Sequence, residues 1–266
     1  MYETNYHRPK DVAEAAKLFS AGDDARYLAG GMTLLPTMKQ RLAAPSDVID
    51  VRRLPELKGI TVTGDAVTIG AATSHAEVNA SAEVKQAIPA LAYLAGLIGD
   101  PAVRHMGTIG GSIANNDPAA DYPAAAMALN ATIKTDKRTI AAEDFFTGLF
   151  ETALEPGELI VSVSFPIPAK AGYAKFENPA SRYAMAGVFV AKLKDGAVRA
   201  GVTGAHGDGV FRANGIEQAL SGSWSPEALE GVTVSADGML SDIHGSAAYR
   251  ANLVKVMAKR AVEAAG

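Results

Sequence analysis

The sequence predicts an α+β chain, with helices and strands mixed along its length, and it argues against a Rossmann fold. Three observations carry this. Apolar spacing switches repeatedly between the helical period and strand-like alternation. Turn signals at Gly64-Asp65 and Lys194-Asp195-Gly196 join runs that read as antiparallel hairpins. A short strand, a glycine-rich turn and a helix open the chain, yet the Gly-x-Gly-x-x-Gly spacing of a dinucleotide-binding βαβ unit is absent.

The elements follow in order. Asp11 is placed to cap a helix over Val12–Ser20, where Val12, Ala15, Ala16 and Phe19 recur at helical spacing and Gly22 closes the run. Residues 25–29 read as a short buried strand that delivers the turn Ala29-Gly30-Gly31-Met32-Thr33. A helix over 34–42 and a strand over 47–51 complete a first α/β unit. A hairpin spans 60–71. Ser74 and Glu77 have capping-box spacing for the next helix, and helical pattern resumes over 83–98, stopping at Gly99-Asp100-Pro101. A compact helix over 122–129, a hairpin over 131–141, a short helix or turn over 143–148 and a strand over 159–166 make the second unit mixed. Pro166-Ile-Pro168-Ala-Lys-Ala-Gly172 reads as a joint. Strands over 185–193 and 198–205 and helices over 213–220 and 246–264 then suggest a small sheet covered by helices. The expected units are 1–56, 57–170 and 171–266.

Composition narrows the function. The chain has 266 residues, 48% of them hydrophobic and 20% charged, which is ordinary for a globular protein of two or three compact parts. A net charge of −4 argues against nucleic-acid binding, which concentrates Lys and Arg against phosphate. The absence of cysteine removes disulfides, zinc–thiolate sites and cysteine-held iron–sulfur clusters from this chain, and it fits a reducing cytoplasm. No basic-then-apolar leader and no apolar run long enough to span a bilayer are expected. The five histidines, His7, His75, His105, His206 and His244, do not stand at metal-ligand spacing. No Gly-x-Ser-x-Gly elbow and no Walker A motif occur. No metal site and no catalytic residue are therefore expected here.

The informative stretch is 99–121, in which Thr108, Gly110, Gly111 and Ser112 precede Asp117-Pro118 and Asp121. It reads as irregular backbone. Gly110 and Gly111 can take positive φ, and successive N–H groups in such a turn can form an anion site. Asp121 could accept from a sugar hydroxyl or a ring N–H. A glycine pair alone is more often a simple tight turn. The second loop of the same chemistry, 29–33, changes the balance, because two such loops could close on a pyrophosphate.

Together the two loops, Ala29-Gly-Gly-Met-Thr33 and Thr108-Ile-Gly-Gly-Ser112, with Asp117-Pro-Ala-Ala-Asp121, make the chain resemble the FAD-binding medium subunit of the molybdenum hydroxylases, the carbon monoxide dehydrogenase and xanthine dehydrogenase group. The resemblance starts at Tyr6-His-Arg-Pro9 and runs through Gly70-Ala-Ala-Thr-Ser-His75, Glu158-Leu-Ile-Val-Ser-Val163 and Val198-Arg-Ala-Gly-Val-Thr-Gly-Ala205. It implies two α/β FAD-binding subdomains followed by a C-terminal flavoprotein domain. It also implies that Ala29, Gly30, Gly31, Met32 and Thr33 line the pyrophosphate with Thr108, Gly110, Gly111 and Ser112, and that Leu34 and Ile109 belong to the same cofactor-binding segments. Asp121 would meet the ribityl or ring side, Ile160 would pack near the ring, Lys175 would approach it and Tyr183 would cover it. His75 would lie close to the flavin.

Met32 stands where many relatives have His, and Ser112 where many have Asn; these changes bear on affinity rather than cofactor type. With no cysteine and with Met at position 32, the FAD is expected to be non-covalent. The resemblance further implies partners: a large subunit with the molybdenum cofactor and a small subunit with iron–sulfur clusters, as a dimer of heterotrimers. Electrons would reach FAD from the clusters and leave to an external acceptor. The competing readings are a self-contained flavin reductase and a nucleotide-binding module without redox activity.

Overall fold

The computed structural model describes all 266 residues. Its elements, in order, are β1 (Asn5–His7), α1 (Val12–Ala21), β2 (Ala25–Leu28), α2 (Leu34–Lys39), β3 (Asp47–Asp50), β4 (Ile60–Val62), β5 (Ala66–Gly70), α3 (His75–Ala80), α4 (Ala82–Ala87), α5 (Pro89–Gly96), α6 (Pro101–Met106), α7 (Ile109–Asn115), α8 (Tyr122–Ala128), β6 (Thr132–Thr135), β7 (Thr139–Ala141), α9 (Ala142–Phe145), β8 (Phe146–Gly148), β9 (Glu151–Thr152), β10 (Ile160–Pro166), β11 (Lys170–Glu177), β12 (Ala184–Lys192), β13 (Val198–Thr203), β14 (Phe211–Arg212), α10 (Asn214–Gly222) and α11 (Ala247–Ala264). This is the mixed α+β class the sequence predicts.

A small parallel sheet, β1-β3-β2, is backed by α1, whose first turn is capped by Asp11 accepting from the Glu14 N–H at 2.7 Å. An antiparallel sheet, β4-β5-β10-β6-β7, forms the middle of the molecule. The third sheet, β11-β12-β13-β14, is also antiparallel and is covered on one face by α11 and α10. Its other face packs on α8, where Gly201 lets the Ala124 carbonyl approach so closely that a Cβ would stand 2.1 Å from it. Three apolar clusters result. The largest holds the middle sheet, α5, α7 and α8, and takes in Tyr173, Phe189 and Ala191 from the third sheet. The second lies under α11 and the third under α1. No helix is long and apolar enough to cross a membrane.

Several local expectations are corrected. The helical run 83–98 is two helices, α4 and α5, because Pro89 lacks an N–H and forces Ile88 out of helical geometry to φ −141°. The stretch 99–121 is mostly helical rather than irregular. Asp100 caps α6 by accepting from the Val103 N–H, Pro101 takes the first helical position, and Thr108 caps α7. Gly110 and Gly111 therefore sit inside a helix and neither has positive φ. His105, expected in a loop, lies on α6 with Nδ1 2.7 Å from the Pro101 carbonyl. The third sheet has four strands where the sequence suggested two. Its first strand, β11, starts within the proline-rich joint and is hidden in the sequence by Gly172 and its lysines.

Candidate functional site

A cavity of about 740 Å³ opens where the three sheets come together. Its size falls in the range of ligand pockets. Fifteen of the sixteen residues singled out in the sequence line it: Ala29, Gly30, Gly31, Met32, Thr33, Leu34, His75, Thr108, Gly110, Gly111, Ser112, Asp121, Ile160, Lys175 and Tyr183. The exception is Ile109, whose side chain is wholly buried in the central core and whose N–H is donated to the Thr73 carbonyl at 3.1 Å.

The two glycine-bearing segments touch. A Cβ on Gly30 would stand 2.3 Å from the Met106 carbonyl oxygen and 2.6 Å from the Gly107 Cα. Gly30 is thus the point at which the first loop rests on the start of the second. Gly110 plays the matching part against the residue that follows β5: a Cβ there would come within 2.5 Å of the Ala71 Cβ, and its N–H is donated to the Ala71 carbonyl at 2.9 Å.

The loops differ in what they leave free. In the first, the backbone N–H groups of Ala29, Gly30, Gly31, Met32, Thr33 and Leu34 donate to no protein acceptor. Six consecutive N–H groups without protein partners at the wall of a cavity offer an acceptor-rich ligand a row of donors. In the second, the N–H groups of Ile109, Gly110, Gly111 and Ser112 are all used internally. What remains there is the Thr108 N–H and the hydroxyls of Thr108 and Ser112. The expectation that both loops offer backbone N–H groups is corrected to this extent: the second offers mainly hydroxyls, because its backbone is spent on starting α7 and on bonding to Ala71 and Thr73 in the turn between β5 and α3.

Asp121, Lys175 and Tyr173 form one buried cluster, of which Asp121 and Lys175 line the cavity. Lys175 Nζ lies 3.0 Å from Asp121 Oδ1 and 3.1 Å from both Asp121 Oδ2 and the Leu97 carbonyl; the Tyr173 hydroxyl donates to Asp121 Oδ1 at 2.6 Å. Burial pushes the Asp121 carboxyl up, opposed by the Lys175 charge and the Tyr173 hydrogen bond. Burial and the adjoining Asp121 charge push the Tyr173 hydroxyl well up, so it stays a donor. Both Asp121 oxygens are therefore engaged with protein partners. Sequence reasoning missed Tyr173. Its signal is the two-residue spacing to Lys175, which places both on one face of β11, but it is readable only once β11 is recognised.

Tyr183 is half exposed at the rim, in the turn between β11 and β12, next to Arg182 at φ +61°. Burial and the carboxylates of Asp117 and Asp121 push its hydroxyl up. Ile160 is buried at the start of β10, beside Leu159 and Glu158. Glu158 accepts from Arg138 Nε and Nη2 at 2.9 Å each, from Thr135 at 2.7 Å and from the Glu155 N–H at 2.8 Å; the Arg138 guanidinium holds its carboxyl at about 2. It is a fixed wall group rather than a free ligand.

His75 begins α3, whose capping box is complete: the Ser74 hydroxyl accepts from the Glu77 N–H at 3.2 Å and the Glu77 carboxylate from the Ser74 N–H at 2.7 Å. The ring is buried, tilted against Tyr122 with centroids 5.4 Å apart. Burial, helped by the Arg104 charge, holds its pKa down to about 4, so the imidazole is neutral at physiological pH.

A family model described as the FAD binding domain in molybdopterin dehydrogenase matches residues 2–168. The chain is 37% identical to the carbon monoxide dehydrogenase medium chain of Hydrogenophaga pseudoflava, covering 98% of this chain and 96% of that one. It is 36% identical to the nicotine 6-hydroxylase medium subunit of Paenarthrobacter nicotinovorans over the same shares. In three dimensions it is similar to a chain of reconstituted CO dehydrogenase from Oligotropha carboxidovorans, with a TM-score of 0.91, 35% identity and coverage of 99% and 97%.

Proposed function

The chain belongs to the family of FAD-binding medium subunits of molybdenum hydroxylases, and from that premise we propose how its own residues serve the cofactor and where it stands in a complex. The single observation that carries the reading is the row of six backbone N–H groups from Ala29 to Leu34 with no protein acceptor, in a segment that lines the same cavity as Thr108 and Ser112. Those donors suit a pyrophosphate, which offers many acceptor oxygens and whose charge is well met by backbone amides. Gly31, Met32 and Thr33 line the phosphates with Thr108, Gly111 and Ser112, while Gly30 and Gly110 hold the two loops and β5 close enough to do so. The apolar walls, including Ile160, take the flat rings. Asp121 and Lys175, tied to one another, bound the flavin side, and Tyr183 stands at the rim where it can cover the ring. Bound FAD supplies the redox chemistry; the chain supplies position, exclusion of water and fixed charge. No covalent attachment is proposed, since the cavity presents Met32 and no cysteine.

The subunit passes electrons rather than transforming the substrate. With no cysteine it holds no cluster of its own, so electrons come from an iron–sulfur subunit, fed in turn by a large subunit with the molybdenum cofactor. A dimer of such heterotrimers in the cytoplasm is the proposed assembly, and the large subunit selects the substrate. The test is the visible spectrum of the natively purified protein beside a denaturing gel. Flavin and iron–sulfur absorbance with two further polypeptides is the expected result. A single chain that turns over a reduced pyridine nucleotide steadily would establish a self-contained reductase. A colourless chain that takes up no FAD would overturn the reading at its base.

A further inference from the structure

Among the fifteen cavity-lining residues is one polar side chain whose role the loops do not account for. His75 is 4% exposed, lines the cavity and makes no side-chain hydrogen bond. Its Nδ1 is sealed from solvent without a partner, whereas Nε2 is the ring nitrogen that is not sealed. A neutral imidazole carries one N–H. On Nδ1 that proton would be a buried donor with no acceptor, the less tolerated kind of orphan; on Nε2 it faces the cavity and leaves only a lone pair unmatched. The geometry thus selects the Nε2–H tautomer.

Gly107 supplies the second observation. Its φ is −63° and its ψ 145°, a conformation open to any residue, so the backbone does not call for glycine. The space does. A Cβ on Gly107 would stand 2.7 Å from His75 Nε2 and 2.9 Å from Cδ2. The position is kept empty directly over the nitrogen that is unpartnered and unsealed. The same Gly107 is the residue on which Gly30 rests, so the nitrogen lies one residue's thickness from the loop with the free N–H groups. The His75 backbone N–H is donated to the Gly107 carbonyl at 3.0 Å, which ties the start of α3 to the segment that holds Gly107.

We propose that His75 is a third element of the cofactor site, a neutral donor that gives its Nε2–H to an oxygen in the pyrophosphate–ribityl stretch of FAD, and that Gly107 is glycine to leave that path open. The proposal rests on the FAD reading above. The groups around the ring agree with a neutral donor. The Arg104 charge on α6 and the apolar packing of Tyr122 from α8 both oppose a second proton. A neutral donor adds selectivity for an acceptor without adding charge to a cavity whose one buried cation, Lys175, is already paired.

The test uses the full chain, stripped of flavin and retitrated with FAD by fluorescence quenching. His75→Leu, which keeps the volume and removes the donor, is expected to weaken FAD about tenfold. His75→Gln, which returns an N–H near the Nε2 position, is expected to recover most of that loss. A purely structural role would instead lower the melting temperature of the flavin-free chain and leave the two variants alike. Ring ¹⁵N resonances of the wild-type chain need no variant: they should show the Nε2–H tautomer without FAD and shift when FAD is added. Wild-type FAD affinity in His75→Leu, an Nδ1–H tautomer, or ring resonances that ignore FAD would each overturn the proposal. A wild-type chain that binds no FAD would overturn the FAD reading together with it.

Discussion

At Gly30 the backbone adopts no left-handed conformation, yet a methyl group would meet the Met106 carbonyl at 2.3 Å. The loops must part to accept it. Gly30→Ala is therefore expected to cost about 1–3 kcal/mol, the usual penalty of overpacking, and to lower the flavin-to-protein ratio; both are read by thermal melting and absorbance. Equal melting and equal flavin content would refute the close-approach argument. Glu158 gives a pH test at the same scale. Its folded carboxyl is held at about 2 against an ordinary 4.5, so its contribution is present above pH 4.5 and is lost as pH falls toward 2. Glu158→Gln should be less stable than wild type at pH 7, by at most about 3 kcal/mol given that Arg138 is partly exposed. The gap should close by about pH 2, as denaturant titrations at both values would show. The glycine pairs were legible in the sequence, but not the reason for them. Clearance depends on partners far along the chain, Met106 for Gly30 and Ala71 for Gly110, and no local pattern reveals them.

Elements whose determinants are local were the legible ones. Asp11, Ser74 with Glu77, and the Gly64-Asp65 and Asp195-Gly196 turns each satisfy backbone donors or set backbone angles within four residues, and each stands as the sequence suggested. The elements set by tertiary packing were hidden. Paired glycines cost a helix about 1 kcal/mol each relative to alanine, so α7 reads as a loop until its close packing on β5 is seen. The Ser74 cap permits a direct test of how far one element supports the site. Ser74→Ala removes an acceptor for the Glu77 N–H and should cost about 1 kcal/mol in denaturant unfolding. Because Ser74 also bridges to Thr108 and precedes His75, FAD affinity should fall as well. An unchanged affinity with reduced stability would mean that α3 supports the core without aligning the cavity.

On the scale of the molecule, the part of the cavity wall formed by Lys175, Ser181, Arg182 and Tyr183 comes from β11 and the turn after it, and is held in place by the docking of the third sheet on the middle sheet. Two polar clusters cross that joint. Arg199 and Arg212 of the third sheet both bind Glu143, and Arg199 also donates to the Met127 carbonyl at the end of α8. Lys175 and Tyr173 of β11 meet Asp121, the residue before α8. The first cluster is partly wet, and its ion pairs are worth little singly. The second is buried, so breaking it leaves a charge without a partner. Lys175→Met should destabilise the chain by about 3–5 kcal/mol at pH 7. The sign of its pH dependence identifies the cause. In the variant, burial holds Asp121 above its ordinary 3.8 with no Lys175 charge opposing, so the folded state takes up a proton more readily than the unfolded one and stability lost at pH 7 returns as pH falls toward 4. Asp121→Asn with Lys175→Met should recover much of the loss at pH 7, since neither charge then remains to be buried. If the joint holds the cavity together, guanidinium titration of the FAD-loaded single variant releases flavin at a lower denaturant concentration in parallel with unfolding. Flavin release at the wild-type midpoint, or a pH profile parallel to wild type, would show that the Asp121–Lys175 pair is incidental to both the joint and the cofactor.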